Sequence, residues 1–271
     1  MPLRSTRPIP TINILKEACT LVHSSIGGLA GTPRGMKGVT RGAGGDISTH
    51  LDLTAEKLVL ELLEKRGVEA TVIAEESGEA AHKENKRFVI VDAIDGTTNA
   101  HRRIPFYCCS VAFADGYKLS SVTDAAIMDL TTGEQYWASK GRGAFVGNTR
   151  IHTSGSNFGG IVGMNISAVD PKILEQFAEL IARAKHIRQF GAIALELCFV
   201  ARGLLDAYVD FRGKVRPTDL AAGYLIAKEA GAVILSTDGN QLDSSLNIAN
   251  RISFFAGSSS ARKEFAGLFK N

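Results

Sequence analysis

Residues 89–99 read VIVDAIDGTTN. An apolar run that admits only Asp92 and Asp95 and stops at Gly96 predicts a buried strand delivering two carboxylates at its end. Thr97 and Thr98 follow at once, so backbone N–H groups and hydroxyls lie beside the acids. Hard oxygen ligands next to such a turn suit a divalent cation and the phosphate of a ligand. An Asp-Gly pair after a strand is by itself only a turn signal. Two distant stretches repeat the arrangement: VIAEES at 72–77 and RPTDLAAG at 216–223 each set an acid at the end of a regular element.

The bulk composition narrows the field. With 271 residues the chain has ample length for one large domain or two closely joined lobes. Charged residues make up 22 % and the formal net charge is +3, which disfavours nucleic acid as the main partner and leaves a small anion compatible. Cys19, Cys108, Cys109 and Cys198 lack metal or redox spacing, and the adjacent pair is expected on opposite faces of a strand. A reducing cytoplasm fits them best. The first fifteen residues carry neither an apolar signal core nor a span of membrane length, so a soluble protein with no membrane partner is expected.

Outward from the central stretch, residues 1–10 read as an irregular arm and 11–30 as an amphipathic helix closed by glycines. The glycine-rich, basic segment 32–45 reads either as a flap over an anionic site or as an exposed loop. Residues 46–51 allow a short strand or turn, and 52–66 a helix with Asp52 near its start, where an acid caps. Residues 78–86 read as an exposed loop. Short apolar runs at 107–114, 119–128, 134–139 and 143–146, separated by glycine turns, predict an antiparallel meander. His101, Arg102 and Arg103 read as a solvated charge run. Beyond residue 150 strands and helices alternate, ending in a helix over 259–269. Units 1–150 and 151–271 with a soft boundary follow, built from layers of helix and sheet.

The E-E-S after a strand, D-A-I-D-G-T-T-N and D-L-A-A-G occur in an order and at separations that resemble the inositol monophosphatase family of metal-dependent phosphatases. GGDISTHLD at 44–52 and GRGAF at 141–145 extend the likeness over most of the chain. Ala93 stands where the family usually has Pro, and Thr218 where it usually has Trp; neither position supplies a ligand side chain.

The resemblance implies a five-layer α-β-α-β-α sandwich and two or three Mg²⁺ ions. Glu75, Asp92 and the Ile94 carbonyl would hold one, Asp92, Asp95 and Asp219 a second, and Asp52 a weaker third. Glu75 and Thr97 would orient the attacking water, and Gly96 and Thr97, with Asp95, would hold the phosphate. Glu76 would support these ligands or form a salt bridge. Arg188, Ile193 and Arg212 match positions that contact substrate in archaeal-type members, although each arginine also reads as a plain surface residue. The expected reaction is hydrolysis of inositol 1-phosphate, fructose 1,6-bisphosphate or both, by a homodimer. Hydrolysis of 3′-phosphoadenosine nucleotides, or an inactive relative serving as a binding or regulatory protein, are the alternatives; retention of every ligand carboxylate weighs against the last.

Overall fold

The computed structural model describes residues 11–45, 47–80, 86–155 and 157–269. The expected N-terminal arm, Asp46 and most of the expected loop at 78–86 lie outside them. Helix α1 (Thr11–Ile26) leads to a hairpin of β1 (Gly38–Arg41) and β2 (Ile47–Thr49), then to α2 (His50–Lys65). The segment 32–45 is therefore no plain loop; its strand residues are all exposed, so no burial pattern in the sequence announces it. Strands β3 (Thr71–Ala74), β4 (Gly78–Ala80) and β5 (Phe88–Asp95) follow, then α3 (Thr97–Arg102). Part of the expected loop after VIAEES is thus a strand, β4, paired antiparallel with β3.

The meander comprises β6 (Cys108–Ala114), β7 (Val122–Asp129), β8 (Gln135–Ser139), β9 (Gly143–Val146) and β10 (Thr149–Ile151), the last not expected from the sequence. The alternating half runs β11 (Ile161–Met164), α4 (Pro171–Arg183), β12 (His186–Arg188), α5 (Ile193–Ala201), β13 (Ala207–Val215), α6 (Pro217–Glu229), β14 (Val233–Ser236), β15 (Ile252–Gly257) and α7 (Ser259–Glu264).

Two large sheets organise the chain, eight strands in the order β10-β9-β8-β7-β6-β5-β3-β4 and five in the order β12-β11-β13-β15-β14. Apolar stripes on α1 and α2, including Leu15, Val22, Val59 and Leu63, cover one face of the larger sheet at Val89, Val91 and Val111. Its other face, with Ile90 and Ala112, shares a core with α5, α6 and the smaller sheet through Leu195, Ile226, Tyr208 and Phe254. Phe177 of α4 and Ala261 of α7 close the outer face of the smaller sheet. The result is the expected α-β-α-β-α sandwich. Helix α6 is buried along nearly its whole length because it is the middle layer, which explains its run of small and apolar residues. Cys108 and Cys109 do face opposite cores.

Candidate active site

Asp92 and Asp95 are three residues apart on a strand, a spacing that ordinarily sends side chains to opposite faces. The register shifts between them: Asp92 lies opposite Ser110 and Asp95 opposite Cys108, so three residues on β5 advance against two on β6. This bulge adds one residue and lets both acids line the same cleft. The Asp92 carboxylate accepts the Ile94 N–H at 3.1 Å, bracing the turn from within. Gly96 ends the strand at φ +93°, and a Cβ there would stand 3.1 Å from the Phe106 carbonyl and from the Ala192 and Tyr107 side chains. Glycine is required both for the backbone conformation and for the close approach.

Glu75 arrives from the end of β3, and Asp219 from the first turn of α6, where its Oδ2 accepts the Arg216 N–H at 2.9 Å. Oxygen atoms of Glu75, Asp92 and Asp219 lie within 4.8 Å of one another. Asp95 stands beside this trio with Oδ2 accepting the Ala194 N–H at 2.6 Å, which ties the floor to the start of α5. Burial, reinforced by the Asp92 charge, holds the Glu75 carboxyl well above the usual range despite Arg216. Burial does the same for Asp92, with Asp95 and Asp219 adding to it, and for Asp95, with Asp219 adding to it. Carboxyls that desolvation and mutual repulsion hold back from ionising match an all-oxygen site for a small hard cation, since a bound cation supplies the missing countercharge. The donor set fits Mg²⁺ or Mn²⁺, since the group Glu75, Asp92 and Asp219 offers only carboxylate oxygens.

Asp52 is both cap and neighbour: Oδ2 takes the Thr49 N–H at 2.9 Å and the Thr49 hydroxyl at 2.6 Å, while Oδ1 is 3.2 Å from the Thr97 hydroxyl. The Thr97 Oγ1 also lies 3.0 Å from the Ile94 carbonyl, so its single proton has two acceptors within reach. Glu76 accepts a hydrogen bond from the Ser48 hydroxyl and so fastens the β1–β2 hairpin. Backbone bonds from Ala43 and Gly44 to the carbonyls of Glu76 and Glu75, at 3.0 and 2.9 Å, dock the hairpin's turn over the floor. His101 is not simply solvated; its Nε2 is 3.2 Å from the Thr49 hydroxyl and it lines the cleft.

The opposite wall differs from expectation. Ile193 lines the cleft at the start of α5. Arg188 sits exposed on β12, bonded to the Ile187 carbonyl at 2.9 Å, and is not among the residues lining the cleft. Arg212 lines it, yet its fork is engaged by fully buried Asp210, with Nη2–Oδ2 at 2.6 Å and Nε–Oδ1 at 3.0 Å. Lys214 and Arg251, which the sequence reading passed over, line the cleft with only carbonyl partners among the described residues: Ala168 for Lys214, and Gly44, Ile248 and Asn250 for Arg251. Arg216 was also missed. Its Nη2 is 2.7 Å from Glu75 and its Nε 3.2 Å from Asp219. A basic residue three before the acid at a helix start was the local sign of it.

The sequence profile of the inositol monophosphatase family matches residues 11–266. A fructose-1,6-bisphosphatase/inositol-1-monophosphatase of Methanothermobacter thermautotrophicus is 34 % identical over 254 residues, covering 87 % of each chain. A bifunctional NADP phosphatase/NAD kinase of Methanococcus maripaludis is 32 % identical over 96 % of this chain, which spans 48 % of that protein's length. A crystal structure described as an inositol monophosphatase–fructose 1,6 bisphosphatase superposes with a TM-score of 0.83 at 27 % identity, covering 96 % of this chain and 100 % of the other. Acids from β3, β5 and α6 around one cleft, in layers shared with that structure and under a profile running almost end to end, have one reading: the chain belongs to the inositol monophosphatase family of phosphoric monoester hydrolases.

Proposed function

We propose that the protein hydrolyses a phosphate monoester of a polyol or sugar, inositol 1-phosphate and fructose 1,6-bisphosphate being the first candidates, at a Mg²⁺ site formed by Glu75, Asp92 and Asp219 with Asp95 and the Ile94 carbonyl. The convergence of three carboxylates within 4.8 Å, Asp92 and Asp219 buried and Glu75 partly so, carries this reading. Bound there, the cation would offset charge on the phosphoryl group and lower the pKa of a water ligand. The chain's own residues supply the rest. Glu75 and the Thr97 hydroxyl orient the attacking water, whose proton the Glu75 carboxylate accepts; the N–H groups of Gly96 and Thr97 hold phosphate oxygens. Asp52, through Thr97, fixes that hydroxyl and borders a further, weaker cation position. The docked hairpin restricts water over the floor.

Lys214 and Arg251 suit a second anionic group on the substrate, whereas Arg212, held by Asp210, shapes the wall near Ile193. A second reading, removal of phosphate from a nucleotide, draws support from the Methanococcus maripaludis relative and from a cleft of about 920 Å³, near the upper end of ligand pockets. Four buried free thiols suit a reducing cytoplasm, and a homodimer is the proposed assembly. No helix among the described residues is long and apolar enough to cross a membrane.

Phosphate release measured with Mg²⁺ and with chelator over inositol 1-phosphate, fructose 1,6-bisphosphate, NADP⁺ and 3′-phosphoadenosine 5′-phosphate tests this reading. Metal-dependent release from the first two is expected. Release confined to the nucleotides would move the assignment to the second reading, and none from any would remove both.

A further inference from the structure

Arg216 is the residue between β13 and α6, and its backbone is fixed from two sides. Pro217 follows it and holds it extended, at φ −90° and ψ 158°, while its N–H is taken by Asp219 at the start of the helix. From that anchored position the side chain turns back to Asp219 in the first turn of α6 and across to Glu75 at the end of β3. The hairpin's turn lies against it: a Cβ on Gly44 would fall 2.5 Å from Nη1. The guanidinium is therefore wedged among the carboxylates that the proposed function assigns to the metal, on a side chain only 16 % exposed.

We propose that Arg216 is a built-in countercharge for the acid floor, holding Glu75 and Asp219 together when no divalent ion is bound and opposing the ion's entry, so that it sets a weak, exchangeable metal affinity. Three carboxylates within 4.8 Å repel strongly in a buried setting, and a cation fixed at 2.7 Å from one and 3.2 Å from another offsets part of that repulsion. The same fixed charge repels an arriving divalent ion. Arg216 thus acts on the reaction through the metal ligands, as a positioning residue. The inference rests on the metal reading above.

Isothermal titration of the ion-free protein with Mn²⁺ and Mg²⁺, alongside thermal melting without metal, separates the two. Arg216→Gln is expected to bind Mn²⁺ at least about tenfold more tightly than wild type while melting lower in the ion-free state. Arg216→Lys, which keeps the charge without the fork, is expected to stay near wild-type affinity. Unchanged or weaker binding by Arg216→Gln would overturn the countercharge role and leave the metal site standing. A wild type that binds no divalent ion would remove the metal reading, and the inference with it. Should Arg216→Gln fail to fold, the Arg216 Nε–H resonance of the wild-type protein decides. A shift of that signal on saturation with Mg²⁺ supports the role, and an unmoved signal overturns it.

Discussion

The floor of the cleft and its basic rim are made in opposite ways. Floor acids sit at the ends of β3, β5 and α6, with Asp92, Asp95 and Asp219 each no more than 8 % exposed and tied to backbone N–H groups. Rim cations Lys214 and Arg251 are exposed and, among the described residues, bonded only to carbonyl oxygens that water can replace. A buried like-charged cluster is held in place by the whole fold and can serve one chemistry well. Long exposed cations adjust to whichever anion arrives, so on the proposed reading substrate range would belong to the rim and the reaction to the floor.

Removing one floor charge should break the chemistry outright. Asp219→Asn is expected to lower turnover by about a thousandfold or more while circular dichroism remains native. Turnover within a fewfold of wild type in saturating Mg²⁺ would mean that the floor is not the reacting centre.

Arg212 tests where floor-like construction ends. Because Asp210 is fully buried and holds this guanidinium, Arg212→Ala should leave an uncompensated carboxylate and cost about 3 kcal/mol of stability. Melting with and without the added substitution Asp210→Asn checks this; partial recovery in the double variant is expected. An unchanged melting temperature together with a raised KM would return Arg212 to the rim as a substrate contact.

The floor should also show itself in the pH dependence of folding. Folded-state values for Glu75, Asp92 and Asp95 lie above those of the unfolded chain, and burial pushes Glu196 up to about 8 against the N–H bonds of Phe190, Gly191 and Ala192. Between about pH 4.5 and 8 the folded state therefore keeps protons that the unfolded chain releases. Ion-free protein should be most stable at the acid end of this window and lose stability as pH rises through it. Divalent ion should flatten the decline by stabilising the ionised floor. Melting curves across that range check it, and stability that rises with pH in the absence of metal would contradict it.

The smallest effect is expected at the rim. Lys214→Ala should raise KM for a bisphosphate by about tenfold, with little change in kcat or in KM for a monophosphate. Equal losses on both would place Lys214 at the reacting phosphate.

Much of the floor could be read in the sequence because two apolar runs, at 72–74 and 89–94, each end in acids, and their coincidence has few packing explanations. Asp219 was legible for a related reason, standing at the head of a helix too apolar to be anything but buried. Strand β1 was not, since Gly38, Val39, Thr40 and Arg41 are all exposed and alternate with nothing, whereas its partner β2 falls within the stretch 46–51 that reads as a short strand or turn. Strand β4 is only three residues long and owes its existence to pairing with β3. Arg216 was hidden because its defining partner, Glu75, comes from the other sheet, and only folding brings them together. Arg212 differs. Residues two apart on a strand share a face, so its pairing with Asp210 was within reach of periodicity but gave way to the likeness with substrate-binding arginines.

The central claim, that Glu75, Asp92 and Asp219 together bind the divalent ion, is tested most directly by anomalous diffraction from crystals grown with Mn²⁺. The account predicts an anomalous peak coordinated by oxygen atoms of all three residues, absent after exchange into chelator. Mn²⁺ bound elsewhere, with Arg216 still bridging Glu75 and Asp219 and no peak among the three carboxylates, would contradict it.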